Sequence, residues 1–211
     1  MENKKYKGIQ ALFENKYLNF FHMDALTDSG KEFDYYFVSR NPKEKLKIKT
    51  GSRNAEGIFI YAVLKEDPGK LVLIKQYRYP VGAFMYELPA GLIDEGETPE
   101  ESAVREMEEE TGMTLEVVKG SGGLFENSFY MGQGFTDETC VPVFGYASGK
   151  GSMHPEEWES IELITADRKE VCRILKEERV SVRMALLMMQ FLQADPKDPF
   201  AFLNYEDDMG E

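Results

Sequence analysis

Read for its apolar positions, the chain shows short strand-like runs first, a long amphipathic stretch in the middle, and further helical stretches near its end. Within residues 6–50 the runs are short and punctuated: Tyr35-Tyr36-Phe37-Val38 is aromatic and β-favouring, and Asp28-Ser29-Gly30 before it is a turn. Lys43, Lys45, Lys47 and Lys49 alternate with Glu44, Leu46 and Ile48. That is the period of a half-buried strand, with lysines guarding an edge. Gly57-Ile58-Phe59-Ile60-Tyr61-Ala62-Val63-Leu64 and Leu71-Val72-Leu73-Ile74 are continuous apolar runs split by Asp67-Pro68-Gly69, a hairpin-like pair buried on both faces. Val141-Pro142-Val143-Phe144-Gly145-Tyr146 reads as another strand, its proline suited to a strand end or an edge.

The pattern then changes period. Thr98 as cap, Pro99 in the first turn, Glu101 at the capping-box position and Gly112 as stop predict a helix over residues 99–111. Ala103, Val104, Met107 and Thr111 share the face that would pack inward. Asp167 with Glu170, and Ser181 before the apolar residues 184–192, predict two capped helices near the end, where Met188 and Met189 read as packing. There is no internal repeat. Strands on both sides of a central helix, followed by terminal helices, predict an α/β sandwich. Residues 1–50 read as a small β-rich segment, 51–195 as the main domain and 196–211 as an acidic tail.

Composition adds exclusions. With 211 residues and 42% hydrophobic, the chain is long enough to bury a sizeable core. No run approaches the roughly 20 apolar residues of a membrane span, and Met1-Glu2-Asn3-Lys4-Lys5 leads into no signal-peptide core, so no membrane partner is expected. Cys140 and Cys172 make neither a disulfide framework nor a zinc quartet, which suits a reducing cytoplasm. His22 and His154 stand alone, which gives histidine catalysis little support. A net charge of −13 argues against a nucleic-acid partner, which needs basic patches.

The charge is local. Residues 94–116 hold ten acids and one base, Arg105, a net of −9. Glu206, Asp207, Asp208 and Glu211 add −4, and everything else balances. Within the central helix Glu106 and Glu110 are four apart, and Glu109 lies three from Glu106, so like charges crowd at spacings that destabilise a helix. Solvated pairs of Arg105 with Glu101 and Glu109 would account for one or two acids. The remainder fits a hard-cation site, where Mg²⁺ or Mn²⁺ takes carboxylate oxygens and keeps waters and substrate phosphates.

These residues also carry a resemblance. Gly91, Glu97 and Arg105-Glu106-Met107-Glu108-Glu109-Glu110-Thr111-Gly112-Met113 resemble the Nudix box at every defined position. The resemblance implies a Nudix-type α/β/α sandwich with a mixed sheet and a small N-terminal β subdomain, and a hydrolase of nucleoside diphosphates linked to another moiety. It implies that Glu106, Glu109 and Glu110 hold divalent metal with the carbonyl of Ala90, and that Arg105 orients the glutamates. Gln76-Tyr77-Arg78-Tyr79-Pro80 followed by Glu87-Leu88-Pro89-Ala90-Gly91 looks like the ADP-ribose and ADP-sugar pyrophosphatase group. By that likeness Arg78 contacts the diphosphate and Glu87 lies in the substrate pocket. Gly30-Lys31, Tyr35 and Arg40 resemble N-terminal strands that this group exchanges across a homodimer. Tyr35 would then stack on adenine and Arg40 would reach phosphate.

One departure from the pattern matters: Gln133 stands where such enzymes often carry proline, within Gly132-Gln133-Gly134-Phe135-Thr136-Asp137-Glu138. The resemblance implies a glutamate acting as base or extra metal ligand in the segment Glu156-Glu157-Trp158-Glu159, where Glu157 and Glu159 are equal candidates because alternation puts both on one side of an extended chain. The expected activity is Mg²⁺-dependent hydrolysis of a small nucleotide-sugar substrate, ADP-ribose to AMP and ribose 5-phosphate. A different conjugate such as GDP-mannose or FAD, or a non-catalytic nucleotide sensor on the same fold, are the alternatives.

Overall fold

A computed structural model of the chain describes residues 4–120, 123, 125–149, 153 and 160–204. The contacts divide it into two units, Met1–Glu56 with Ser128–Cys140, and Gly57–Asn127 with Val141–Glu211.

The first unit opens with β1 (Tyr6–Phe13), β2 (Asn19–Leu26) and β3 (Glu32–Ser39), an antiparallel sheet in the order β1-β2-β3. The expected turn between the last two is present: the Thr27 N–H donates to the Lys31 carbonyl at 2.9 Å, and Gly30 takes φ 81°, where a side chain would strain. Alternation along β2 buries Asn19, Phe21, Met23 and Ala25 on one face. Phe21, Met23 and Ala25 pack there with Ile9, Phe37 and Leu46.

The lysine-rich segment that follows corrects the strand reading. Residues Lys43–Lys45 form a 3-10 turn and Lys47–Thr50 a short helix, α1, closed by Gly51 at φ 67°. The alternation fails because long-range partners override it. Leu46 is fully buried while Ile48 is half exposed, and Lys47 turns inward rather than guarding an edge. Its ammonium donates to the Asn54 carbonyl and to Glu56, both at 2.8 Å, and to the Thr139 hydroxyl. A buried charge needs such company.

The second unit is built on β4 (Gly57–Leu64) and β5 (Lys70–Arg78), followed by β6 (Ala83–Glu87), β7 (Ala90–Leu92), α2 (Pro99–Thr111) and β8 (Thr114–Val118). After β9 (Phe129–Tyr130) come β10 (Thr139–Ser148), β11 (Ile161–Asp167), α3 (Arg168–Glu177) and α4 (Val182–Gln193). β9, which pairs with Thr139 and Cys140, belongs with them to the first unit. The larger sheet runs β11-β5-β4-β10-β8, with β6 beside β5 and β7 beside β4. Backbone bonds from Glu56 to Thr139 and from Lys65 to Ala147 ascend together, so β4 and β10 run parallel. The pairs β4–β5, β5–β11 and β8–β10 are antiparallel, so the sheet is mixed.

The apolar hairpin is buried on both faces, as its continuous hydrophobicity predicts. Tyr61, Val63, Leu71 and Leu73 pack with Val171, Ile174, Met184 and Met188 of α3 and α4. The alternate residues Ile58, Ile60 and Ala62 are equally buried on the other face, and α2 is a helix packed on β4. Helices on both faces make the expected α/β/α sandwich. Asp167 and Ser181 cap α3 and α4 by accepting from the Glu170 and Met184 N–H groups.

Local expectations need correction at three places. Val104 on α2 is exposed while Ala103, Met107 and Thr111 are buried, so the inward stripe is narrower than it reads. Met188 is buried but Met189 is exposed. Pro142 sits inside an interior strand rather than at an edge. Its missing N–H is tolerated because β9 pairing stops at Cys140 and β8 pairing starts at Phe144.

Candidate active site

The acidic helix is set by its ends. The Thr98 hydroxyl accepts from the Glu101 N–H at 3.2 Å and the Glu101 carboxylate accepts from the Thr98 N–H at 2.8 Å, a reciprocal box. Gly112 closes the far end at φ 67°, its N–H on the Glu108 carbonyl. Fixed this way, α2 turns Arg105, Glu106 and Glu110 toward the strand β7. Of the two solvated pairs considered for Arg105, the one with Glu109 forms and the one with Glu101 does not; Glu101 serves the cap instead.

Glu110 is 3% exposed, and its carboxylate accepts from the Ala90 N–H at 3.0 Å. The Ala90 residue expected to lend its carbonyl to a metal is thus held against the last glutamate of the set. Gly91 follows for a steric reason. A Cβ there would fall 1.9 Å from the Cδ of Glu106, so only glycine lets the strand approach that carboxylate. One nitrogen of Arg105, Nη1, donates to Glu106 at 2.7 Å and to Glu109 at 3.2 Å. Glu109 is the more open of the three, with its side chain 46% exposed.

Arg105 is itself anchored from outside the glutamate set. Its Nε and Nη2 donate to Glu97 at 3.1 and 2.9 Å, and Nη2 also donates to the Leu92 carbonyl at 3.0 Å. The guanidinium, joined by the Ser102 hydroxyl, holds the Glu97 carboxyl down to about 2 from its ordinary 4.5. The same contact with Glu97 raises the pKa of Arg105. Glu97 therefore belongs to the scaffold of the site. In the sequence its only signal is its place in the motif; Ser102 and the Leu92 carbonyl carry none.

The oxygen-only donor set of Glu106, Glu109 and Glu110 suits a hard divalent cation. The glycine-backed Glu106 and the amide-held Glu110 are two of those donors fixed before any ion arrives.

The other expected residues fall as follows. Arg78, at the end of β5, donates through Nε to Glu87, at the end of β6, at 2.6 Å. Both lie on the face that the β5–β6 register gives to Gln76, Arg78, Ala83 and Met85. In the first unit, the Tyr35 hydroxyl donates to the Gly134 carbonyl at 2.6 Å and Arg40 donates to Glu138 at 2.6 Å. Tyr35 lines a cavity of about 350 Å³ with Phe33, Phe37, Ile48, Phe135 and Asp137. Glu157, Glu159 and His154 lie outside the described residues. Among the described residues no helix is long and apolar enough to cross a membrane.

The chain is similar to known proteins. The model of the NUDIX domain family matches residues 53–181. The methanol dehydrogenase activator of Bacillus methanolicus is 30% identical over 143 residues, 67% of this chain and 74% of that protein. The ADP-ribose pyrophosphatase of Bacillus subtilis (strain 168) is 29% identical over 169 residues, 78% of this chain and 87% of that protein. A solved structure described as an ADP compounds hydrolase superposes with a TM-score of 0.65 at 17% identity, covering 87% of this chain and 89% of its own, a likeness of fold.

Proposed function

Because the chain belongs to the NUDIX domain family and is a Nudix hydrolase of the ADP-ribose and ADP-sugar pyrophosphatase type, we propose that it cleaves the diphosphate of ADP-ribose to AMP and ribose 5-phosphate. The observation that carries the reading is the carboxylate set of α2. Glu106, Glu109 and Glu110 are gathered at a cost to the helix, and two of them are fixed by a glycine and a backbone amide. A protein that merely packed this helix would gain nothing by placing these three carboxylates together.

Those residues, with the Ala90 carbonyl, would hold Mg²⁺ or Mn²⁺. When bound, such an ion neutralises diphosphate charge and acidifies water. The chain's own groups do the rest. Arg105 keeps Glu106 and Glu109 oriented through a fork that Glu97 holds rigid. Arg78 is kept in one rotamer by Glu87 and offers its remaining N–H groups to a phosphate oxygen. Glu157 or Glu159 takes the proton of the attacking water. Tyr35 and Arg40 meet the base and a phosphate, roles that rest on the family resemblance, as does assembly into a homodimer.

The test is kinetic. The purified full chain in Mg²⁺ is offered ADP-ribose, other ADP-sugars, GDP-mannose and FAD, and kcat/KM is compared. The proposal expects ADP-ribose to lead. Preference for GDP-mannose or FAD would replace the substrate, and tight binding without turnover of any conjugate would make the chain a sensor.

A further inference from the structure

His22, Asp24 and Asp34 bring one imidazole and two carboxylates to one spot on the sheet of the first unit, with ligand atoms all within 4.8 Å of one another. We propose that these three side chains form a binding site for a single divalent transition-metal ion of the Zn²⁺ class.

The strand register makes the cluster. His22 and Asp24 are two apart on β2, the middle strand, on the face opposite Phe21 and Met23. Asp34 on β3 stands directly across from Asp24, and Tyr36 directly across from His22. The Tyr36 ring lies 5.1 Å from the imidazole, and the His22 side chain is only 18% exposed, so the ring is held in place. Its Nε2 lies 2.7 Å from Asp34 Oδ1.

A hydrogen bond between His22 and Asp34 accounts for two of the three groups but leaves Asp24 unexplained. Two carboxylates directly opposite on neighbouring strands repel. Among the described residues no lysine or arginine pairs with either, although Lys5 and Lys7 pair with Asp28 and Glu32 in the same unit. Across β1, a Cβ on Gly8 would come within 3.0 Å of Asp24 Oδ2, so that carboxylate sits close against the neighbouring strand. A cation seated between the three ligand atoms replaces the proton shared by His22 and Asp34 and neutralises Asp24 in the same act.

The donor set selects the ion. One nitrogen and two oxygens, with open positions for water, match Zn²⁺, which binds imidazole and carboxylate at about 2.0–2.2 Å. Mg²⁺ prefers oxygen and surrenders its waters reluctantly, so it is disfavoured. The site rests on different residues from the glutamate set of α2 and does not depend on how that set works.

His22 and His154 are the two histidines of the chain, which makes the imidazole signal of His22 a clean reporter. The full chain carrying H154N is titrated with Zn²⁺, and the ring resonances of His22 are followed by NMR. The inference expects a saturable shift with single-site stoichiometry, lost in D24N and in D24N/D34N, and a smaller response to Mg²⁺. Zn²⁺ held by Glu106, Glu109 and Glu110 leaves His22 unmoved, so a silent His22 in excess Zn²⁺ overturns the site. A shift undiminished in D24N overturns the three-ligand arrangement. D24N is the decisive variant, because among the described residues the Asp24 side chain makes no hydrogen bond or ion pair on which the fold would depend.

Discussion

Glu110 is where packing and chemistry pull in opposite directions. It is 3% exposed, it lies beside two further carboxylates, and the Ala90 N–H at 3.0 Å fixes where it points. Glutamine preserves the acceptor for that N–H and deletes a buried negative charge. Glu110→Gln is therefore expected to lower kcat by more than the roughly 10–100-fold that losing an outer partner of a metal site costs, with Tm unchanged or higher. An unaffected kcat would remove Glu110 from the metal set. Arg105 gives a second prediction, with a pH signature. The folded pKa of Glu97 is depressed to about 2, so the stabilisation it shares with Arg105 is complete above 4.5 and disappears as pH falls through 2. Arg105→Ala should melt below the wild type at neutral pH, and the two melting curves should converge as acid is added toward pH ~2. Parallel curves over that range would contradict the ion pair. At this scale the sequence names Glu106, Glu109, Glu110 and Arg105 because a motif with fixed spacing survives translation into a helix. It cannot name Ser102 or the Leu92 carbonyl, since a serine among acids and an anonymous backbone oxygen look the same wherever they point.

The element that matters most is α2, and its boundaries are legible because both ends are local chemistry. Thr98, Pro99, Glu101 and Gly112 act within one turn of themselves, and no distant partner is needed to place them. Thr98→Ala, by losing the hydroxyl that caps the Glu101 N–H, should cost about 0.5–2 kcal/mol of stability, read from denaturant unfolding. Activity per folded molecule should persist, because the helix body is unchanged. A loss of activity without a loss of stability would give the cap a different role. Where distant contacts dominate, local pattern misleads. Lys43 to Lys49 has the period of a strand, yet the pull of Glu56, Asn54 and Thr139 on the Lys47 ammonium, and the burial of Leu46, wind it into a turn and α1. No local signal distinguishes a lysine that faces water from one that meets a carboxylate nine residues away.

Across the molecule, the apolar hairpin β4–β5, the central helix and the capped terminal helices were enough to state an α/β sandwich, because continuous hydrophobic strands need cover on both faces. The division into units was less legible. Residues 128–140 contact the N-terminal strands in the first unit, a return of the chain that no composition shift announces. The net charge of −13 likewise becomes meaningful only when placed: −9 lies in residues 94–116, around the helix that gathers Glu106, Glu109 and Glu110. The most direct test of the account is product analysis. The purified protein is incubated with ADP-ribose in Mg²⁺, then in chelator, and the products are separated by chromatography. The account predicts AMP and ribose 5-phosphate in Mg²⁺, almost none under chelation, and restoration when Mg²⁺ is returned. Hydrolysis that ignores the chelator, or ADP-ribose that survives intact in Mg²⁺, would contradict it.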